Sequence, residues 1–197
     1  MGREEIISII IGCFILLLAA ISQTLIFIEL SPISNLDFCD EDIIVTFNGS
    51  IANVYARYGL KNRGDQNNYP IILPFASKPW NINLTLDGEH LDYYWTSHLV
   101  EEQEFSAISF RVNISKGETR DVNVIYERFF EIYEKDSQTF GRFKYLVGTT
   151  KSWGEPLDYA HFEFWTIKND EKQLLDTFDF ENWLPDYLYM IYEFEIN

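Results

Sequence analysis

From residue 43 onward, apolar and polar side chains alternate along most of the chain. That period of two predicts strands, because successive side chains of an extended backbone point to opposite faces. In Ser50–Lys61, Ala52, Val54, Ala56, Tyr58 and Leu60 share one face, while Asn53, Tyr55 and Arg57 take the other. A shorter strand, Ile43–Phe47, leads into it through Asn48-Gly49, a dipeptide that tolerates positive φ at both centres of a type I′ turn. Ile71–Phe75 reads as an edge segment, since Pro70 and Pro74 cannot donate to a ladder. Asn81–Leu86 and Leu91–Trp95 flank Asp87-Gly88-Glu89-His90 as a hairpin, and Phe105–Ile114 and Thr119–Tyr126, turning at Lys116-Gly117-Glu118, are expected to pair antiparallel at the centre of the fold. Phe143–Val147, Tyr159–Ile167 and a last strand with Leu188, Met190, Tyr192, Phe194 and Ile196 on one face complete the series, with room for a short helical piece near Gln173–Asp176. The sum, about eight or nine strands, predicts an all-β fold over residues 43–197. An antiparallel β-sandwich is favoured, because two packed sheets bury one face of every strand.

The pattern is different at the amino end. Ile6–Ile28 is almost uniformly apolar, and roughly 20 such residues cross the hydrocarbon core of a bilayer as a helix. Arg3 stands before this segment, whereas Glu29, Asp37, Asp40, Glu41 and Asp42 follow it. The expected order is therefore a cytoplasmic amino terminus (1–5), a transmembrane signal anchor (6–28) embedded in the lipid bilayer, an acidic linker (29–42) and an extracytoplasmic domain. The alternative is a secretory signal cleaved near Ser22.

Charge narrows the partners. The 197 residues carry 31 acidic and 15 basic side chains, a formal net charge of −16, with no basic run, so nucleic acid is excluded as a partner. Cys13 lies inside the apolar segment and Cys39 beyond it, too far apart in depth for an intrachain disulfide.

Of the motifs that announce chemistry, G-x-S-x-G, H-E-x-x-H and the phosphate-binding G-x-x-x-x-G-K-S/T are all missing from the sequence. His90 and His98 fall near Asp92, but with no recognised ligand spacing, and neither a metal nor a cofactor is expected. Glu101, Glu102 and Glu104 read as a solvated acidic turn rather than an acid–base pair, Asp40-Glu41-Asp42 as part of the stalk, and Arg63-Gly64-Asp65 as an exposed polar loop. No catalytic residue is assigned. The aromatic residues are more suggestive: Tyr93, Tyr94 and Trp95 put neighbouring rings on both faces of a strand and, with Trp153, are the candidate contacts for a ligand or partner. Asn48, Asn83 and Asn113 each open an N-x-Ser/Thr triplet and are candidate glycosylation sites.

Tyr55–Asn62 (YARYGLKN), Leu73-Pro74-Phe75, Asp87-Gly88-Glu89, Gly117-Glu118 leading into Val122–Tyr126, and Tyr145–Trp153 (YLVGTTKSW) occur in an order that resembles uncharacterised exported, membrane-anchored β-sandwich families of prokaryotes. The resemblance covers residues 43–196 and implies a fold and a location, but no reaction and no functional residue. The expected function is a non-enzymatic envelope interaction or accessory module, with an envelope protein as partner. The alternatives are a glycan-recognition module built on exposed aromatics and an envelope-polymer hydrolase built on paired carboxylates.

Overall fold

The computed structural model describes residues 35–100, 102–147, 153 and 155–196. The apolar segment 6–28 and its expected membrane span lie outside the described residues, as does Glu101. Residues 35–197 form one compact unit.

Thirteen strands make up this unit: β1 (Leu36–Asn48), β2 (Ile51–Asn62), β3 (Asn68–Pro74), β4 (Trp80–Leu86), β5 (Glu89–His90), β6 (Tyr94–Val100), β7 (Gln103–Asn113), β8 (Thr119–Phe129), β9 (Glu131–Lys135), β10 (Gln138–Leu146), β11 (Leu157–Lys168), β12 (Glu171–Trp183) and β13 (Tyr189–Glu195). The all-β expectation holds. Eight or nine strands was too few, and two purely antiparallel sheets too simple. A seven-stranded sheet, β12-β11-β1-β2-β8-β4-β5, is joined by two three-stranded sheets, β13-β10-β9 and β3-β7-β6. The pairing of β1 with β11 is parallel.

The inner face of the large sheet holds the core. Ile43, Val45 and Phe47 of β1 lie beside Ala56, Val54 and Ala52 of β2 and beside Phe162 and Phe164 of β11. All of these are buried. The sheet β13-β10-β9 covers one half of this face. Phe164 stacks on Tyr192 at 3.9 Å, Phe47 on Phe194 at 4.3 Å, and Tyr145 meets Phe162 edge-on at 5.8 Å. Aromatic pairs of this geometry add about 0.5–1.5 kcal/mol each beyond the area they bury. The sheet β3-β7-β6 covers the other half, where Phe75, next after β3, meets Tyr126 of β8 at 5.1 Å. Val100, Phe105 and Leu146 cluster with Leu188 and Tyr189, joining the two small sheets to each other.

Several local expectations are corrected. β7 and β8 do not pair: β7 is the middle strand of β3-β7-β6, while β8 lies between β2 and β4 in the large sheet. Residues 114–118 cross between layers, and the crossing is tied to the end of β2, where Gly117 N donates to Asn62 O and Asn62 N to Glu118 O. The hairpin after β4 closes on the two-residue β5, and β6 leaves for another sheet. Residues 173–176 are strand, within β12. At the first turn the central residues are Gly49 and Ser50; Gly49 alone has positive φ, at 59°, so the turn is not type I′. Finally, β1 begins at Leu36, so Asp37, Asp40, Glu41 and Asp42 belong to a strand of the domain and not to a linker.

Candidate functional site: the uncovered face of the large sheet

Apart from Gly59, which lies beneath the Asp40 carboxylate, no residue described on the outer face of β1, β2 or β8 is buried, in contrast to their inner faces. Instead of a second layer, this face carries a lattice of charged and aromatic side chains. Its centre is Arg57 on β2. Arg57 Nε donates to Asp42 Oδ2 at 2.6 Å and Nη1 to Asp121 Oδ1 at 3.0 Å. Asp40 Oδ1 lies 2.7 Å from Nη1, off the hydrogen-bond axis, as an ion pair. Desolvation opposes the charge on Arg57, but the surrounding carboxylates outweigh it and hold the guanidinium protonated.

Local structure makes this grouping possible. A register shift at Cys39 sets Asp40 opposite Gly59. A Cβ on Gly59 would fall 2.7 Å from Asp40 Oδ2, so glycine leaves the space that the carboxylate occupies.

A second row runs along β11, where alternate residues Tyr159, His161, Glu163 and Trp165 share the outer face. The Tyr159 hydroxyl donates to Asp179 Oδ1. His161 Nδ1 lies 2.7 Å from Asp179 Oδ1 and its Nε2 3.2 Å from Glu163 Oε1. Trp165 Nε1 donates to Glu163 Oε2 at 2.7 Å, and Lys172 Nζ sits 4.4 Å above the Trp165 ring. Burial works to lower the His161 pKa, but the hydrogen bonds and charges of Asp179 and Glu163 prevail and raise it. Asp179 is lowered chiefly by the Tyr159 hydroxyl, and Glu163 chiefly by the Trp165 N–H. Since His161 lies beside Asp42 in the parallel β1–β11 register, the two rows form one surface. Its carboxylates outnumber its cations: Asp40, Asp42, Asp121, Glu163 and Asp179 against Arg57, Lys172 and a titrating His161.

Behind this surface lies its chemical opposite. Glu41, between Asp40 and Asp42, faces inward, is 3% exposed and has no hydrogen-bond partner for Oε1 among the described residues. Desolvation, with a smaller push from Asp42, raises its pKa to about 8. The hydroxyls of Tyr58 and Tyr145, 2.7 Å apart, share the same interior; both are pushed well above 10, first by burial.

The residues singled out in the sequence fall elsewhere. Tyr94 and Trp95 are exposed at the start of β6, with Tyr93 half-buried beside them. Tyr93 and Trp95 meet edge-on, at 86°, so they offer no common plane. Lys78 Nζ stands 4.8 Å over the Trp95 ring. Trp153 packs instead on Phe38 of β1, at 5.7 Å. Asn48, Asn83 and Asn113 are exposed; the first and last end their strands, and Asn83 lies within β4. His90 and Asp92 approach to 3.9 Å, and no metal-holding group of three His, Cys, Asp or Glu side chains forms among the described residues. The loop at 63–65 is tied down. Arg63 pairs with Asp37, Lys116 with Asp65, and Asn62, fully buried, accepts from Gly64 N and the Tyr69 hydroxyl. Sequence reasoning missed the lattice, although its signal was present: polar or aromatic residues at every second position of 159–165, and acids two apart at 40 and 42.

No protein-family model matches the chain, and no curated protein matches it. Among solved structures, the chain is similar to a candidate nutrient-binding protein from Legionella pneumophila, with a TM-score of 0.63 at 9% identity, covering 81% of this chain and 67% of that protein. It is also similar to the native leukotriene A4 hydrolase of Saccharomyces cerevisiae, with a TM-score of 0.52 at 11% identity, covering 82% of this chain but 29% of the hydrolase. At these identities the likeness is one of fold. The chain thus shares an all-β architecture that also occurs as part of larger proteins.

Proposed function

We propose that this chain is a non-enzymatic interaction module, anchored in a membrane through residues 6–28 with its β-domain on the extracytoplasmic side, and that it docks a basic protein partner on the uncovered face of the seven-stranded sheet. The observation that carries this reading is the lattice around Arg57 and His161. Its acids are fixed in place by neighbouring strands yet remain accessible, with Asp121 44% and Asp179 56% exposed. Ordered, half-solvated carboxylates in excess over cations suit recognition of a positively charged surface, because opposed potentials steer encounter and fix register.

A hydrolytic role is less well supported. The carboxyl group with a raised pKa, Glu41, is sealed in the core, while those on the surface are committed to Arg57, His161, Tyr159 and Trp165. A general acid needs a raised pKa and access to substrate together. A glycan platform is also less favoured, since Lys78 covers Trp95 and Trp153 is turned onto Phe38.

The test is recovery of the full-length protein from its native membranes after crosslinking, in parallel with the double variant Asp42→Asn, Asp121→Asn. The expected result is a specific basic companion with the natural sequence, lost in the variant and weakened by raised salt. A companion retained at equal yield by the variant would refute docking on this face.

A further inference from the structure

Arg128, near the end of β8, points into the protein and is 4% exposed. Its Nη2 donates to the main-chain oxygen of Lys144 at 2.6 Å, and the guanidinium carbon lies 4.3 Å over the Phe143 ring. Nε has no acceptor, and no carboxylate pairs with Arg128 among the described residues. In a chain with 31 acids and 15 bases this is an expensive arrangement, because a guanidinium withdrawn from water without a counter-ion carries a large desolvation cost. The buried acid cannot supply that ion. Glu41 neighbours Tyr58, which pairs with Val122, six residues before Arg128 on β8, so the two are separated by roughly 20 Å at about 3.3 Å per residue.

The surroundings of Arg128 indicate what does pair with it. A half-open pocket of about 180 Å³ lies where the three sheets meet, lined by Arg128, Arg142 and Lys144 with Ser77, Phe129 and Phe130. Glu131 also borders it but is held by Arg142 Nη1 at 3.4 Å, and Arg142 Nε donates to Glu193 at 2.5 Å. The pocket lies where β9 stops pairing opposite Arg142, which leaves the β10 edge beyond it without a strand partner on that side among the described residues. The lining therefore joins Arg128 and Lys144 to Phe130, since Phe129 turns its own ring outward against Trp80, within a domain of opposite net charge.

We propose that this pocket is a binding site for a carboxylate carried on a small apolar body, with the Arg128 guanidinium as its buried counter-charge and Lys144 at its mouth. A planar carboxylate matches the edge of a guanidinium, whose parallel N–H groups donate to both oxygens at once. Ala76 and Phe130 suit a small aliphatic body, and phosphate, a rival for Lys144 and Ser77, is the competing anion that the titration separates. The carboxylate belongs either to a free short-chain acid or to the last residue of a peptide chain.

The test is a titration of the full-length protein in detergent micelles, following the Arg128 Nε–H resonance by ¹⁵N NMR. The probes are sodium butyrate, butyramide, N-acetyl-Ala-Val, its C-terminal amide and inorganic phosphate. The expected result is a saturable shift with butyrate or with the peptide acid, and none with either amide. The tighter of the two acids identifies the source. Lys144→Gln should weaken that binding about fivefold through loss of one charged partner. Arg128→Met, followed by tryptophan fluorescence, should abolish it. If Arg128→Met does not fold, the Lys144→Gln and amide comparisons still decide. Shifts of equal size with acids and amides, a response to phosphate alone, or undiminished binding by folded Arg128→Met would overturn the proposal.

Discussion

The two faces of the seven-stranded sheet are built from the same strands yet obey different rules. Inside, β1 presents Ile43, Val45 and Phe47, each at most 2% exposed, with Phe47 packed against aromatic rings from β10 and β13. Outside, the same strand presents Asp40, Asp42 and Ile44, all half-exposed. The inner face is held by burial and ring packing, which tolerate no gap. The outer face is held by ion pairs and hydrogen bonds in contact with water, each worth little for stability. A face that contributes little to stability and yet keeps its side chains in a fixed array is the natural place for recognition.

Substitution separates the two faces most sharply at Phe47. Phe47→Ala removes a ring that contacts Phe130, Phe143, Phe164, Tyr192 and Phe194, and should cost about 3–5 kcal/mol in denaturant unfolding. Ile125→Ala on the outer face, where Ile125 is 45% exposed, should cost less than about 1 kcal/mol. Equal losses would erase the contrast.

Next in size is the pH dependence set by Glu41, the inner-face acid. Its pKa is about 8 when folded and 4.5 as a free side chain, so between those values the folded state holds a proton that the unfolded state has released. Stability is therefore greatest below pH 4.5 as far as this group is concerned, falls as pH rises, and levels off above pH 8. The slope approaches about 1.4 kcal/mol per pH unit within that window. Glu41→Gln should flatten the profile, measured as unfolding free energy at a series of pH values. A profile unchanged by the substitution would mean that the Glu41 carboxyl is not sealed from water.

Two glycines make a subtler pair. A Cβ on Gly141 would meet the Phe194 ring at 2.6 Å and the Phe130 ring at 2.9 Å, so Gly141→Ala should cost about 1–3 kcal/mol by overpacking. The three atoms nearest a Cβ on Gly59 all belong to the Asp40 carboxylate, which can swing away. Gly59→Ala should change stability by less than about 1 kcal/mol while parting Asp40 from Arg57, a loss visible as a change in the Arg57 side-chain Nε–H resonance by NMR.

The smallest effect is expected at His161. Its pKa is raised by Asp179 and Glu163, so its contribution is fully present below pH 6.5 and lost as pH rises through the higher folded value. His161→Gln should remove a pH-dependent increment of no more than about 1 kcal/mol.

The sequence made the faces of strands legible and left their partners obscure. Alternation in Ser50–Lys61 placed Ala52, Val54 and Ala56 inside and Arg57 outside, as found. The same alternation in β7 and β8 suggested a hairpin, because parity reports which side is buried but not which strand lies alongside. The parallel entry of β11 beside β1 was hidden for that reason. Parity did hold the answer for Glu41: counting back from Phe47, Val45 and Ile43 puts it on the inner face, but three acids in a row looked like stalk. Arg128 fell in a charged stretch with no periodic signal, and its counter-charge is a question that only packing raises. Tyr93–Trp95 and Trp153 were grouped by residue type, and the fold sets them against different neighbours.

Carboxyl footprinting measures the proposed docking face most directly. Native membranes and the purified full-length protein would be labelled in parallel with carbodiimide and glycine ethyl ester, and modification read at each acid by mass spectrometry. The docking account predicts that Asp40, Asp42, Asp121 and Asp179 are protected in membranes and labelled after purification, while Glu102 and Glu195, away from this face, react equally in both. Equal labelling of all these acids in the two preparations would contradict it.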